Sequence, residues 1–294
     1  MGQPKEYGFG QQFGLNWSPW LRSLFGIADF TPPVSDCPSG RVTVTDEVGA
    51  SVPVEWPPGW ADLRLDMHAP AGRQVGPSGN MRGWPVQRFA PDARWETWTQ
   101  IRYGSRTPVQ VPLPLDSPAW LEGHPLRGGA FDRHLLLVCP ELGEAVELIW
   151  ATPSRRECTG WGRWRNGKLI EGRAVCRGGV SLTAHLWHRS DAPHRLAVHI
   201  SGADDRPETH HEHPTTGDVL RLSSEAAIRL LAASTSEEQR RWLMAATTHG
   251  LCVVDRNGND EPHMLLACVA GAQWAGHTLG DLDVRMTDLE LVTA

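Results

Sequence analysis

Short apolar runs of strand length, punctuated by glycine and proline, are the dominant pattern along this chain. The central example is Arg133 to Cys139 (RHLLLVC), closed by Pro140 and Gly143 and followed by Ala145 to Trp150 (AVELIW). Two such runs across a Pro/Gly turn predict a buried β-hairpin. Just ahead, Pro108 to Pro118 (PVQVPLPLDSP) predicts an edge strand or a polyproline-like coil, because proline cannot donate to a ladder. Arg41 to Trp56 alternates in strand fashion around Gly49. Trp161 to Ile170 holds Asn166-Gly167, a strong hairpin-turn signal. Val180 to His188 and Arg195 to Ile200 also alternate, and are expected to pair across Asp191-Ala192-Pro193. Leu251 to Val254 and Met264 to Val269 predict a second hairpin, over Asn257-Gly258. Val219 to Leu222 and Leu279 to Val292 complete the strands.

A different period appears once. Ser234 or Thr235, with Glu237 or Glu238 three residues on, predicts a capping box that starts a helix running to about His249. Gly250 closes it, and Trp242, Leu243 and Ala246 face inward. Residues 66–95 are rich in Gly and Pro and read as a long loop of functional or interface type. The expected fold is all-β: a jelly-roll-like β-sandwich over residues 41–294, with one C-terminal helix and an extended N-terminal arm over residues 1–40. That arm spaces Phe9, Phe13, Trp17, Trp20 and Phe25 between glycines. Such aromatics need a partner surface to bury them, which favours docking on another subunit over folding back.

At 294 residues the chain can bury a sizeable core. Its net charge of −6 leaves no basic footprint for sequence-independent nucleic-acid binding. No apolar run approaches the roughly 20 residues of a membrane span, and residues 1–30 lack the pattern of a secretory signal. The six cysteines form no C-x-x-C pair: Cys139 and Cys252 read as buried thiols, and Cys158 and Cys176 bracket a segment they could close as a disulfide. The unusual feature is 14 Trp against 2 Tyr and 6 Phe. Trp17, Trp20, Trp56, Trp60, Trp84, Trp95, Trp98, Trp161 and Trp164 sit in polar, turn-rich contexts, and Trp84, Trp95, Trp98, Trp120, Trp161 and Trp164 are the candidate ligand contacts. A flat indole face suits a sugar ring or a subunit interface.

Candidate chemistry gathers at the mouth of the central hairpin. Glu122 precedes it, Asp132 and His134 are two apart and share a face, and Glu147 lies on the returning strand. One reading is a structural network in which Asp132 caps the turn, Arg133 pairs with an acid and His134 bonds a carbonyl. The other is a sugar-binding or acid/base cluster, with Glu122 and Asp132 as paired carboxylates and His134 tuning one of them. The stretch Glu208 to His213 (ETHHEH) offers His210, His211 and His213 as ligands of the type that suits Zn or Mn, although no remote ligand is identifiable. No cofactor is expected. The chain has no P-loop, G-x-G-x-x-G, H-E-x-x-H or G-x-S-x-G, which disfavours nucleotide-driven and triad chemistry.

The same hairpin resembles a family of uncharacterised secreted bacterial proteins with an IEGG turn, a GDRH strand entry and an LYEL-type acidic strand. The matching positions are Trp120-Leu121-Glu122-Gly123, Phe131-Asp132-Arg133-His134 and Ala145-Val146-Glu147-Leu148. The likeness continues more weakly through His194, Pro214 to Leu222 and Trp242 to Asn257, covering about two thirds of the chain. It departs at Phe131, where the family has glycine, and between Cys158 and Leu182. The resemblance implies an all-β sandwich and secretion-linked biology, with no established reaction. A signal-less version with a Trp excess and an aromatic arm fits a virion minor tail protein of a bacteriophage infecting an actinobacterium. Such a protein would be made in the host cytoplasm and released by lysis, with other tail subunits and cell-wall polysaccharide as partners. The alternative is a polysaccharide hydrolase using the paired carboxylates.

Overall fold

The computed structural model describes residues 42–56, 59–71, 84, 86–115, 133–188, 192–201, 214–257, 263–267, 279 and 282–293. The arm over residues 1–40 lies outside them. The first strands are β1 (Ser51–Pro53), β2 (Leu65–Ala71), β3 (Val86–Arg88), β4 (Trp95–Arg102), β5 (Ser105–Pro112), β6 (Leu135–Cys139), β7 (Glu144–Ile149) and β8 (Glu157–Cys158). There follow β9 (Gly160–Arg165), β10 (Lys168–Gly172), β11 (Leu196–Ser201), β12 (Val219–Leu222), β13 (Leu251–Asn257), β14 (His263–Ala267) and β15 (Leu289–Val292). Among the described residues three helices join them: α1 (Leu182–His185), α2 (Ser224–Ala233) and α3 (Glu237–Thr248).

The strands form a seven-stranded sheet in the order β1-β15-β12-β13-β11-β14-β2, a five-stranded sheet β10-β9-β7-β6-β3, and a three-stranded sheet β5-β4-β8. Side-chain alternation stacks these into layers. In β11 and β13, Leu196, Val198, Ile200, Leu251 and Val253 face α2 and α3, where Trp242, Leu243 and Ala246 are fully buried. From the opposite face, Ala197, Cys252 and Val254 meet Leu136 and Val138 of β6. The other side of β6 and β7 carries Leu135, Leu137, Val146 and Leu148, which pack on Trp98, Val109 and Val111 of the three-stranded sheet. The fold is all-β and sandwich-like, with few helices. Parallel pairs (β11 with β13, β14 with β2, β3 with β6, β4 with β8) sit among the antiparallel ones, so the layering is established and a jelly-roll strand order is not.

The central hairpin forms as the apolar pattern predicts, with Leu136 opposite Glu147. Of the proline-spaced run, Pro108 to Pro112 falls in β5, residues 113–115 are not strand, and 116–118 lie outside the described residues; among the described residues β5 ends its sheet, where Pro108 and Pro112 are tolerated. Asn166 and Gly167, both at positive φ, turn β9 into β10. Several expectations fail. Val180 to His188 supplies α1 rather than a strand: Ser181 caps it, its side chain accepting from Ala184 N. Leu251 to Val254 and the run from Met264 are not a hairpin, because β11 lies between β13 and β14 and pairs with both. Arg41 to Trp56 yields only β1, and the stretch read as a long loop contributes β2 and β3. The capping residue of α3 is Ser236, accepting from Gln239 N, while Gln239 Oε1 accepts from Thr235 N. The expectation of one C-terminal helix is corrected by α2, a second long helix capped at Ser223.

Candidate functional site

The open end of the β6–β7 hairpin is shaped by unusual backbone. Arg133 and Trp150 both adopt left-handed φ values, 49° and 54°, and Ala151 N donates to Arg133 O across the gap. Such values are uncommon for bulky side chains. The Arg133 guanidinium lies over the Trp150 ring, 5.3 Å from its centroid, and Nη1 donates to Thr152 Oγ1. The expected acidic partner of Arg133 is thus replaced by an indole and a hydroxyl. One residue on, His134 is buried and meets the Trp84 ring edge-on, with centroids 6.4 Å apart.

Glu147 projects from β7 into the layer between the five- and seven-stranded sheets and has no exposed surface. Its Oε1 accepts from Ser181 Oγ and from Thr183 N, both at 2.7 Å. The same serine caps α1, so a single carboxyl ties β7 to that helix. Burial pushes the Glu147 carboxyl above its ordinary pKa, against the opposing pull of the Ser181 hydroxyl and the Thr183 and Leu182 amides. Among the described residues no cation pairs with this carboxyl to offset its desolvation.

A second acid, which the sequence reading passed over, sits on the opposite face of the same strand. Glu144 is nearly fully buried. Arg163 Nε and Nη2 donate to its Oε2 at 3.1 and 2.8 Å, and Arg165 Nε and Nη2 both donate to Oε1. Burial opposes ionisation here too, but Arg165 and Arg163 outweigh it and hold the carboxyl below its ordinary range. Arg163 also lies 4.7 Å over the Trp95 ring. The signal was present: Arg163 and Arg165 are two apart, so the β9 pleat turns both towards one neighbour.

His134 and Glu147 therefore belong to one buried layer, while Glu122, Asp132 and Trp120 lie outside the described residues, as do Phe9, Phe13, Trp17, Trp20 and Phe25. His210, His211 and His213 also lie outside them. Among the described residues no cluster of His, Cys, Asp or Glu is arranged to hold a metal ion. The tryptophans correct an expectation: Trp84, Trp98, Trp161 and Trp164 are only 3–6% exposed and pack in the core. Trp161 Nε1 donates to Gln110 O, fixing β9 against β5. These four present no ring face to a sugar; Trp95 is half-buried between Phe89 and Arg163. No disulfide joins Cys158 and Cys176: burial pushes the Cys158 thiol up to about 12, and the Cys176 thiol donates to Val180 O. A shallow groove of about 490 Å³ opens beside the β6–β7 turn, lined by Val42, Thr43, Glu141, Leu142 and Asn166 among others. Comparisons with protein-family models, with curated proteins and with solved structures each found no match to this chain.

Proposed function

We propose that this chain is a structural module of a larger particle, of the virion minor-tail type, whose sandwich contacts cell-wall polysaccharide without cleaving it. The observation that carries this reading is the fate of the two acids on β7. Glu144 is clamped by two arginines, and Glu147 is sealed beneath Ser181 and Thr183. A general acid or base must reach the bond it protonates, and neither carboxyl reaches solvent. Both belong to the architecture that holds the layers in register. Exposed apolar side chains include Tyr103, Leu115, Leu169 and Ile170 at loops and edges and Ile228 and Met244 on α2 and α3, as suits contact with other tail subunits. No helix among the described residues is long and apolar enough to cross a membrane.

Incubation of the purified protein with actinobacterial cell-wall polysaccharide tests the reading. Retention on the polymer with no new reducing ends is the expected result. Reducing ends that vanish in Glu122→Gln and Asp132→Asn would instead establish a hydrolase working through the pair outside the described residues. Absence of retention would remove the glycan role. Deletion of residues 1–30 addresses the arm: it should abolish incorporation into particles while leaving polysaccharide retention intact.

A further inference from the structure

We propose that two copies of this chain join through the open edge of β10, antiparallel, so that their five-stranded sheets run on into one another. β10 ends its sheet, and among the described residues β9 is its only strand neighbour. All five of its residues, Lys168 to Gly172, are exposed, including the apolar Leu169 and Ile170 at 42% and 47%. An exposed strand edge with apolar side chains is a template for a further strand.

The occupant is a second copy because the strand is complementary to itself. Lys168-Leu169-Ile170-Glu171, set antiparallel against its own image, places Lys168 opposite Glu171 twice and Leu169 opposite Ile170 twice. In a regular strand, residues three apart point to opposite faces, and the charges would not meet. Here a bulge between Leu169 and Glu171 inserts one residue. Lys168 consequently stands opposite Arg165 and Glu171 opposite Arg163, and those arginines are two apart on one face of β9. The irregularity thus brings Lys168 and Glu171 to the same face, as a two-fold axis perpendicular to the sheet requires. Glu171 is only loosely engaged within its own chain, 4.0 Å from Arg163 with its side chain 61% exposed, so it remains accessible to a partner's lysine. Four residue pairs fall well below the roughly 1,200 Å² of a standard interface. The association is therefore weak for two isolated copies and gains strength when an assembly holds them close.

The test is a charge swap on the full-length chain, read by sedimentation equilibrium over a concentration series. Wild type should show a reversible monomer–dimer equilibrium. Lys168→Glu and Glu171→Lys, each setting like charges opposite one another twice, should weaken the dimer by roughly ten-fold or more. The double variant K168E/E171K should restore it. Because both side chains are exposed, the far-UV spectrum should be unchanged in all three variants. A wild type that stays monomeric throughout, a dimer indifferent to the single reversals, or a double variant no better than either single one would each overturn the proposal.

Discussion

Burial holds the Glu147 carboxyl above its ordinary pKa of 4.5, and the sign of that shift sets a pH dependence. The folded protein keeps this proton more tightly than the unfolded chain does. Its contribution to stability is complete below about pH 4.5 and is lost as pH climbs towards the raised folded value. Glu147→Gln preserves a carbonyl acceptor for Ser181 and Thr183 and cannot ionise. Its stability relative to wild type should therefore improve steadily as pH rises above 4.5, as urea midpoints across a pH series would record. Glu144 behaves in the opposite sense, because its carboxyl is held below the ordinary value. Its contribution is present above about pH 4.5 and disappears as pH falls through the folded value. Glu144→Gln should cost about 1–3 kcal/mol at neutral pH through loss of charge-assisted hydrogen bonds, with the deficit shrinking in acid. Neither role was assigned to these residues from sequence. The sequence marks Glu147 as an acid on a strand, but whether a strand carboxyl is clamped, sealed or wet depends on what the adjacent strand and the packed layer deliver to it.

Most elements whose signals are local were legible, α2 with its Ser223 cap being an exception, and those whose partners are distant were not. The β6–β7 hairpin, the Asn166-Gly167 turn and α3 are each specified within a short window by apolar runs, turn residues and caps. Ser236→Ala should accordingly destabilise the protein by about 1 kcal/mol in chemical denaturation, since Gln239 N loses its acceptor. Gly250, which follows α3 at φ 83°, leaves no room for a side chain: a Cβ there would lie 2.7 Å from Leu220 O. Gly250→Ala should cost at least about 1–2 kcal/mol in the same assay, from left-handed strain and from displacement of β12. By contrast, β11 pairs with β13 in parallel and with β14 antiparallel. Inserting it between them needs the whole sheet, and no turn signal reports on it. Segment 180–188 alternates well enough for a strand, yet Ser181 caps a short helix that Glu147 anchors. Tertiary contact overrode the period.

At the scale of the molecule, the five-stranded sheet is the shared wall of two cores: Leu136 and Val138 face one side, Leu135 and Leu137 the other. Loss of that sheet exposes both layers at once. Unfolding followed by tryptophan fluorescence, which samples buried indoles on several layers, and by far-UV dichroism should give coincident transitions; separate midpoints would show that the layers come apart independently. Sequence by itself determined the β-rich class, the central hairpin, the extended course of the proline-spaced run and the capped helix with its buried Trp242, because alternation, turn chemistry and capping act over a few residues. Only the tertiary structure decided the strand order, the burial of Trp84, Trp98, Trp161 and Trp164, and the two environments of the β7 acids. Those depend on which distant segments are brought face to face. An indole or a carboxyl carries no local mark of the layer that will close over it.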